Sequence, residues 1–315
     1  MSAVVGFVAL GVIVLAGLLL LTSYYLYRGV FCYPSAKQSD PEQIPDSKAY
    51  GTRREEMRRV MEQMKETDWE TVYLTAADGC RLFGRLRITD PGAPLFLFFH
   101  GYHGTFMWDG YGCFRFCRDR NYNMLMVDER AHGKSGGKAI TFGILEREDC
   151  RLWAEYAAER TGGKVPIILS GVSMGAATVL MASVLALPES VMAVVADCGY
   201  TSPREIIQKT AAAMHFPVGS SYLLLRAGAR IFGRFDLEAA SPLEAVRQNK
   251  LPVLFVQGGK DSVVPMSMCD ALFDACAASK ERLVVAEAEH AVSAMEDYGA
   301  YEAALDAFLK KRCSI

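Results

Sequence analysis

The sequence predicts an α/β fold in which helices cover both faces of a mainly parallel sheet. Three observations carry the prediction. Short, continuous apolar runs alternate with helical stretches over residues 94–311, and strands buried on both faces read as such runs rather than as an apolar–polar alternation. One run, residues 164–170, passes directly into Gly171-Val172-Ser173-Met174-Gly175 and then into the helix-type stretch Ala176-Ala177-Thr178-Val179-Leu180-Met181-Ala182. The chain has 315 residues, 51% hydrophobic and 22% charged, which suffices for one large domain with a substantial core.

Taken in order, residues 52–67 are rich in Arg and Glu, with Met57, Val60, Met61 and Met64 at spacings of three and four. One apolar stripe on an otherwise polar helix suits packing against a core or a membrane surface. Residues 71–75 and 81–88 read as two strands joined at the Asp78-Gly79 turn. Buried strands follow at 94–99, 122–127, 165–170, 191–196, 251–257 and 283–286, each dominated by aliphatic or aromatic side chains. Helical stretches at 149–160, 173–186, 265–278 and 293–311 lie between or after them. Residues 201–248 break the alternation with helical stretches and no strand, and include His215-Phe216-Pro217 and Tyr222-Leu223-Leu224-Leu225. An insertion at the C-terminal edge of the strands sits over the crevice in which ligands bind, so this segment is expected to form a small helical cap.

The N-terminus has a different character. Residues 1–27 contain no charged side chain, and 4–21 is an unbroken run of apolar residues and glycines. Such a run is long enough to cross a hydrocarbon core of roughly 30 Å, the tyrosines at 24, 25 and 27 suit a membrane interface, and Arg28 suits its polar edge. A cleaved signal peptide is the alternative, but the basic start and small-residue cleavage site of such peptides are missing. The expected division is therefore a transmembrane or signal-anchor helix at 1–27, a tether and amphipathic helix at 28–68, and a globular domain at 69–315 with its cap at 201–248. Positive charge on the C-terminal side alone (Arg28, Lys37, Lys48, Arg53, Arg54) favours a cytoplasmic domain.

Composition excludes several functions. A net charge of -2, with only short basic clusters such as Arg53-Arg54 and Arg58-Arg59, argues against a nucleic-acid partner. Nine cysteines at scattered spacings, without Cys-x-x-Cys, do not form a disulfide framework, and no companion pair at zinc spacing accompanies Cys113 and Cys117. Those two would share a helix face, and most of the cysteines are expected to be small buried hydrophobes. Neither a metal nor a cofactor is expected. Nothing in the sequence sets an oligomeric state.

The strand–turn–helix context makes Ser173 a candidate nucleophile. A reactive serine must stand on a sharp turn, and the free N–H groups of the helix that follows point at the reacting centre. A serine also needs a base and a group to orient that base. Of five histidines, His290 follows the last strand in Glu287-Ala288-Glu289-His290-Ala291 and reaches the sheet edge that carries the elbow. Asp261, in Gln257-Gly258-Gly259-Lys260-Asp261, leaves the preceding strand at the same edge; Asp197, after the 191–196 strand, is the rival acid.

These motifs, with His100-Gly101-Tyr102-His103-Gly104 and Asp128-Glu129-Arg130-Ala131-His132-Gly133-Lys134-Ser135, resemble those of serine hydrolases of the α/β-hydrolase superfamily. The resemblance covers roughly residues 70–312 and is nearest to the esterase, lipase and prolyl-oligopeptidase-like enzymes. It implies the α/β-hydrolase fold, catalysis by Ser173, Asp261 and His290 without a cofactor, and an oxyanion hole from the backbone N–H groups of Tyr102 and Met174. The substrate would be a small ester, an amide or a short peptide; the alternatives are an aminopeptidase or oligopeptidase, or a non-catalytic binding protein on the same fold. Ala131 stands where the family usually has glycine, which disfavours a positive φ there, and Ala288, Glu289 and Ala291 surround His290 where glycine is frequent. His132 is expected to bond loop backbone, His103 to face solvent, His215 to pack within the cap, and Glu289 to be a solvated charge.

Overall fold

The computed structural model describes residues 2–33, 43–44, 51 and 53–313. Most of the expected tether, with Lys37 and Lys48, lies outside the described residues, as does Thr52 at the start of the expected amphipathic helix.

Among the described residues, eight strands form one sheet: β1 (Glu70–Thr75), β2 (Arg81–Arg87), β3 (Leu95–Phe99), β4 (Asn123–Asp128), β5 (Ile167–Val172), β6 (Val191–Asp197), β7 (Val253–Gly258) and β8 (Lys280–Val285). Their order is β1-β2-β4-β3-β5-β6-β7-β8. The first two strands pair antiparallel with each other and β2 pairs antiparallel with β4, while every pairing from β4 to β8 is parallel.

The pleat divides the central strands between two cores. Phe96 and Phe98 of β3 and Met124 and Met126 of β4 point to one face, where α2 (Arg54–Glu66), α3 (Phe106–Asp109), α4 (Tyr111–Asp119), α11 (Ser293–Glu296) and α12 (Tyr298–Cys313) cover them. Leu95, Leu97, Phe99, Leu125 and Val127 point to the other, under α5 (Glu146–Arg160), α6 (Met174–Ala182) and α10 (Met266–Ala275). A strand with large apolar side chains at both parities can only be buried on both faces. The methionine stripe of α2 enters the first core rather than a membrane surface: Met57, Val60, Met61 and Met64 are all buried there.

Some boundaries differ from the sequence expectation for identifiable reasons. The helix expected at 293–311 is two, because Asp297 leaves the helical conformation and its Oδ1 accepts the N–H of Ala300, starting α12 afresh. β8 begins at Lys280 rather than 283, since an edge strand half open to water need not be apolar throughout. Of α3 and α4 the sequence indicated only that Cys113 and Cys117 share a helix face.

Between β6 and β7 stand α7 (Pro203–Ala213), α8 (Val218–Gly228), a π-helical turn (Ala229–Gly233) and α9 (Pro242–Val246). Helix α1 (Ser2–Phe31) runs to Phe31 rather than ending at 27. Its large apolar residues from Val4 to Leu21 are exposed, whereas Tyr27 and Phe31 are buried with Phe142, Tyr222, Leu225 and Phe235. The last turns of α1 therefore extend because they have a protein surface to pack on. That contact is close: a Cβ on Gly228 would stand 2.7 Å from Ser23 O and 2.8 Å from Tyr27 Cβ.

Candidate active site

The turn between β5 and α6 is built from backbone approach. Ser173 itself takes the strained conformation, with φ 55° and ψ −112°. The flanking glycines serve another purpose than the turn: a Cβ on Gly171 would stand 2.3 Å from Gly175 C and O, and one on Gly175 would stand 2.1 Å from Phe99 O. Both are needed so that α6 can press against β5 and β3. Ser173 is held by donating its backbone N–H to Asp197 O at 2.8 Å, and its own carbonyl accepts from Ala177 N–H at 3.0 Å. Met174 opens α6, so its N–H belongs to the first turn, which has no intrahelical acceptor.

Three residues far apart in sequence meet at this turn. His290 Nε2 lies 2.9 Å from Ser173 Oγ, and His290 Nδ1 lies 2.7 Å from Asp261 Oδ2. The Asp261 side chain is fully buried and that of His290 is 20% exposed, so the imidazole is largely shielded from solvent. Asp261 is itself fixed: its Oδ1 accepts N–H groups from Val263 at 2.8 Å and Val264 at 2.7 Å. Gln257, at the end of β7, donates from Nε2 to Asp261 Oδ2 at 3.2 Å and to Val264 O at 2.9 Å. Gln257 had no place in the sequence expectation, although it stands in the Gln257-Gly258-Gly259 turn. Ala291 adopts φ 63°, the left-handed region for which glycine is the usual choice.

The loop after β3 lies across from the elbow. A Cβ on Gly101 would stand 3.4 Å from Ser173 Cβ, so Tyr102 is the residue that follows this approach. Asp109 of α3 holds the loop: its Oδ2 accepts the Gly101 N–H at 2.6 Å, and burial raises its pKa. Its spacing from Gly101 carries no motif, and only the turn of the chain through Thr105 reveals the contact. His100 Nε2 accepts the Glu129 N–H at 3.0 Å, which leaves Nδ1 to donate to Gly101 O at 2.9 Å. His132 repeats the pattern, accepting the His103 N–H at 3.1 Å and donating from Nδ1 to Arg130 O at 3.0 Å. Burial pushes the His132 pKa well below its ordinary value, consistent with a neutral ring that bonds loop backbone.

His103 does not face solvent as expected. Its ring is stacked between Tyr33 and Tyr102, 3.8 Å from each centroid, and burial lowers its pKa to about 4. His215 departs from expectation in the opposite sense, standing exposed at the turn between α7 and α8. Glu289 is exposed. Ala131 takes φ 61° despite its Cβ; the conformation is held by its N–H to Gly136 O at 2.7 Å. Gly133 in the same loop has φ 52°, and a Cβ there would stand 2.2 Å from Asp128 Oδ2, so a larger residue would have to displace that carboxylate. Arg130 anchors the loop with two contacts to Asp149, at 2.7 and 2.6 Å, and one to Asp78 at 2.9 Å.

The rival acid, Asp197, has no hydrogen bond to His290 among those of the described residues. Its Oδ1 accepts from Ser293 Oγ at 3.4 Å, and burial pushes its pKa up to about 7. Cys198 stands beside the pair, and the ligand atoms of Cys198, Asp261 and His290 lie within 4.8 Å of one another. Burial holds this thiol well above its usual pKa, and a protonated thiol is a poor metal ligand; the other two groups bond each other. All nine cysteines are free, seven of them buried, as expected of small hydrophobes.

Comparison with known proteins agrees with the fold. Residues 91–226 match the family model described as serine aminopeptidase, S33; the match includes Ser173 and the Gly101-Tyr102 loop and ends before Asp261 and His290. Protein bem46 of Schizosaccharomyces pombe is 27% identical over 265 residues, covering 82% of this chain and 78% of that protein. The Bacillus subtilis protein YqkD is 27% identical over 198 residues, and the alignment spans 61% of this chain and 63% of YqkD. Among solved structures, the Pyrococcus furiosus esterase Pf2001 superposes with a TM-score of 0.64 at 21% identity, over 79% of this chain and 93% of the esterase. With its eight-stranded, mostly parallel sheet and the loops at that sheet's edge, the chain has the α/β-hydrolase fold.

Proposed function

We propose that the protein is a serine hydrolase that cleaves an ester or amide through an acyl-enzyme on Ser173. The observation that carries this reading is the continuous pair of contacts from Ser173 Oγ to His290 Nε2 and from His290 Nδ1 to Asp261 Oδ2. With the Asp261 carboxylate accepting the Nδ1 proton, Nε2 is the free base. It takes the Ser173 proton as Oγ attacks the carbonyl carbon, and returns that proton to the leaving oxygen or nitrogen. Water then loses a proton to Nε2, attacks the acyl-enzyme, and Ser173 recovers its hydrogen. The N–H groups of Met174 and Tyr102 are the donors toward the oxyanion in this scheme. We further read α1 as the anchor that tethers the enzyme to a membrane, on the strength of its uncharged, exposed run.

A fluorophosphonate probe tests the central claim. Wild type should be labelled and Ser173→Ala should not; equal labelling of the two removes Ser173 as nucleophile. The matched description, serine aminopeptidase, favours one second reading, in which the scissile bond is a peptide amide. Comparing p-nitrophenyl esters with aminoacyl p-nitroanilides separates the two.

A further inference from the structure

Acyl transfer gives no role to the tip that joins α7 to α8. From Thr210 to Leu225 the chain contains no Asp, Glu, Lys or Arg. The turn is closed by backbone bonds, His215 N–H to Ala212 O at 3.0 Å and Phe216 N–H to Ala211 O at 2.9 Å, with His215 at φ 61°. Backbone groups at the tip are thus partly satisfied internally, which a nonpolar environment requires. Around it Met214 is 62% exposed, Phe216 51% and Leu223 66%. Scattered apolar residues are ordinary on a soluble surface, but these three share one uncharged tip.

Contacts with α1 set the direction in which the tip points. Ser23 Oγ donates to Leu224 O at 2.6 Å, Gly228 meets Ser23 and Tyr27, the Tyr27 ring lies 6.0 Å from Phe232, and the Phe31 ring lies 5.3 Å from Phe235. Later residues of α1 meet later residues of α8 and its continuation, so the two run in the same direction. Since α1 comes to the domain from its exposed apolar segment, the start of α8 points back toward that segment. The Tyr24 ring lies 5.0 Å from Phe232, and Arg28 donates to the Tyr24 hydroxyl at 3.3 Å. Beside them is a cleft of ≈ 730 Å³ whose lining includes the cations Arg28, Lys138 and Arg234, a set suited to the headgroup layer.

We propose that the α7–α8 tip, residues 211–225, inserts into the hydrocarbon of the same membrane that α1 crosses. The inference rests on reading α1 as a membrane span. Arg226, paired with Asp236 and Glu238, marks where the inserted segment ends. From there to the start of α8 is roughly 12 Å at about 1.5 Å per residue, less than half of a hydrocarbon core of about 30 Å. The tip enters one leaflet and does not cross. The protein then holds the bilayer at two points, and α7 and α8 are oriented by lipid as well as by protein.

The test uses the full chain in phosphatidylcholine vesicles with or without acyl chains brominated to quench tryptophan. Phe216→Trp and Leu223→Trp should each gain fluorescence over wild type that brominated lipid quenches at least half as strongly as it does for Leu15→Trp in α1. Val284→Trp, on the edge strand β8, should not be quenched. Thermal melting of each variant reports that it has folded. Quenching at Leu15→Trp with none at Phe216→Trp and Leu223→Trp overturns the inserted tip and leaves the anchor standing. No quenching at any of the three positions overturns both.

Discussion

The phenol of Tyr102 donates a hydrogen bond of 2.7 Å to the carbonyl of Val30. The loop opposite the Ser173 turn is thereby tied to the last turn of the N-terminal helix. Burial raises the Tyr102 pKa to about 12, so the phenol stays a donor throughout the physiological range. Tyr102→Phe keeps the ring stacked on His103 and Phe142 and removes only this bond. It should cost about 1 kcal/mol, seen as a melting temperature lower by a few degrees, with ester turnover changed less than about tenfold. A loss of about a hundredfold in kcat would show that the tie itself positions the loop.

Ser173, His290 and Asp261 are proposed to act as a unit, so their losses should not add. Ser173→Ala and His290→Ala are each expected to lower kcat for a p-nitrophenyl ester by about 10⁴–10⁶, and the double variant by no more than the worse single one. Asp261→Asn should be less severe, because Nε2 remains present although the tautomer is disturbed. Additive losses in the double variant would mean that the residues act independently.

Asp197 makes stability depend on pH in a definite direction. Burial lifts its native pKa from 3.8 to about 7, so between these values the native state holds the proton more often than the unfolded chain. The contribution is fully present below about pH 4 and is lost as pH rises through 7. Its upper bound is about 4 kcal/mol. Asp197→Asn cannot ionise, so its melting temperature relative to wild type should improve by several degrees between pH 5 and pH 8. A constant difference across that range would mean that Asp197 ionises in the native state as it does in water.

Gly175 is the position where the smallest substitution should do most harm. The Cβ of an alanine would meet Phe99 O at 2.1 Å and His100 O at 2.7 Å, and both obstacles are backbone. Gly175→Ala must push α6 away from β3, at a cost of about 2 kcal/mol or more. Chemical denaturation should show a lower midpoint, and probe labelling of Ser173 should fall with it. An unchanged midpoint would show that the elbow can open without strain.

Much of the frame was legible because its signals are local. The runs at 94–99, 122–127 and 165–170 announce β3, β4 and β5 because burial on both faces demands apolar side chains at every position. The boundaries that shifted lie where burial is partial, as at β8, or where one side chain interrupts a helix, as Asp297 does. Asp109 and Gln257 escaped notice because each acts through one contact across a loop, and no spacing encodes that contact. His103 and His215 exchanged environments relative to expectation. A loop histidine's surroundings depend on what packs over it, here Tyr33 from the end of α1.

By itself the sequence determined the alternation of strands and helices, the sharp turn at Ser173, the order in which Ser173, Asp261 and His290 follow one another, and an uncharged run at the N-terminus. These are properties of neighbouring residues, set by side-chain periodicity and backbone sterics. Tertiary structure decided the rest. Strand order in the sheet brings His290 to Ser173 across 117 residues of chain, and the path of α1 along α8 joins the apolar helix to the loop at Tyr102. Contacts of that range are settled by which surfaces can be buried together, and no local pattern records the answer.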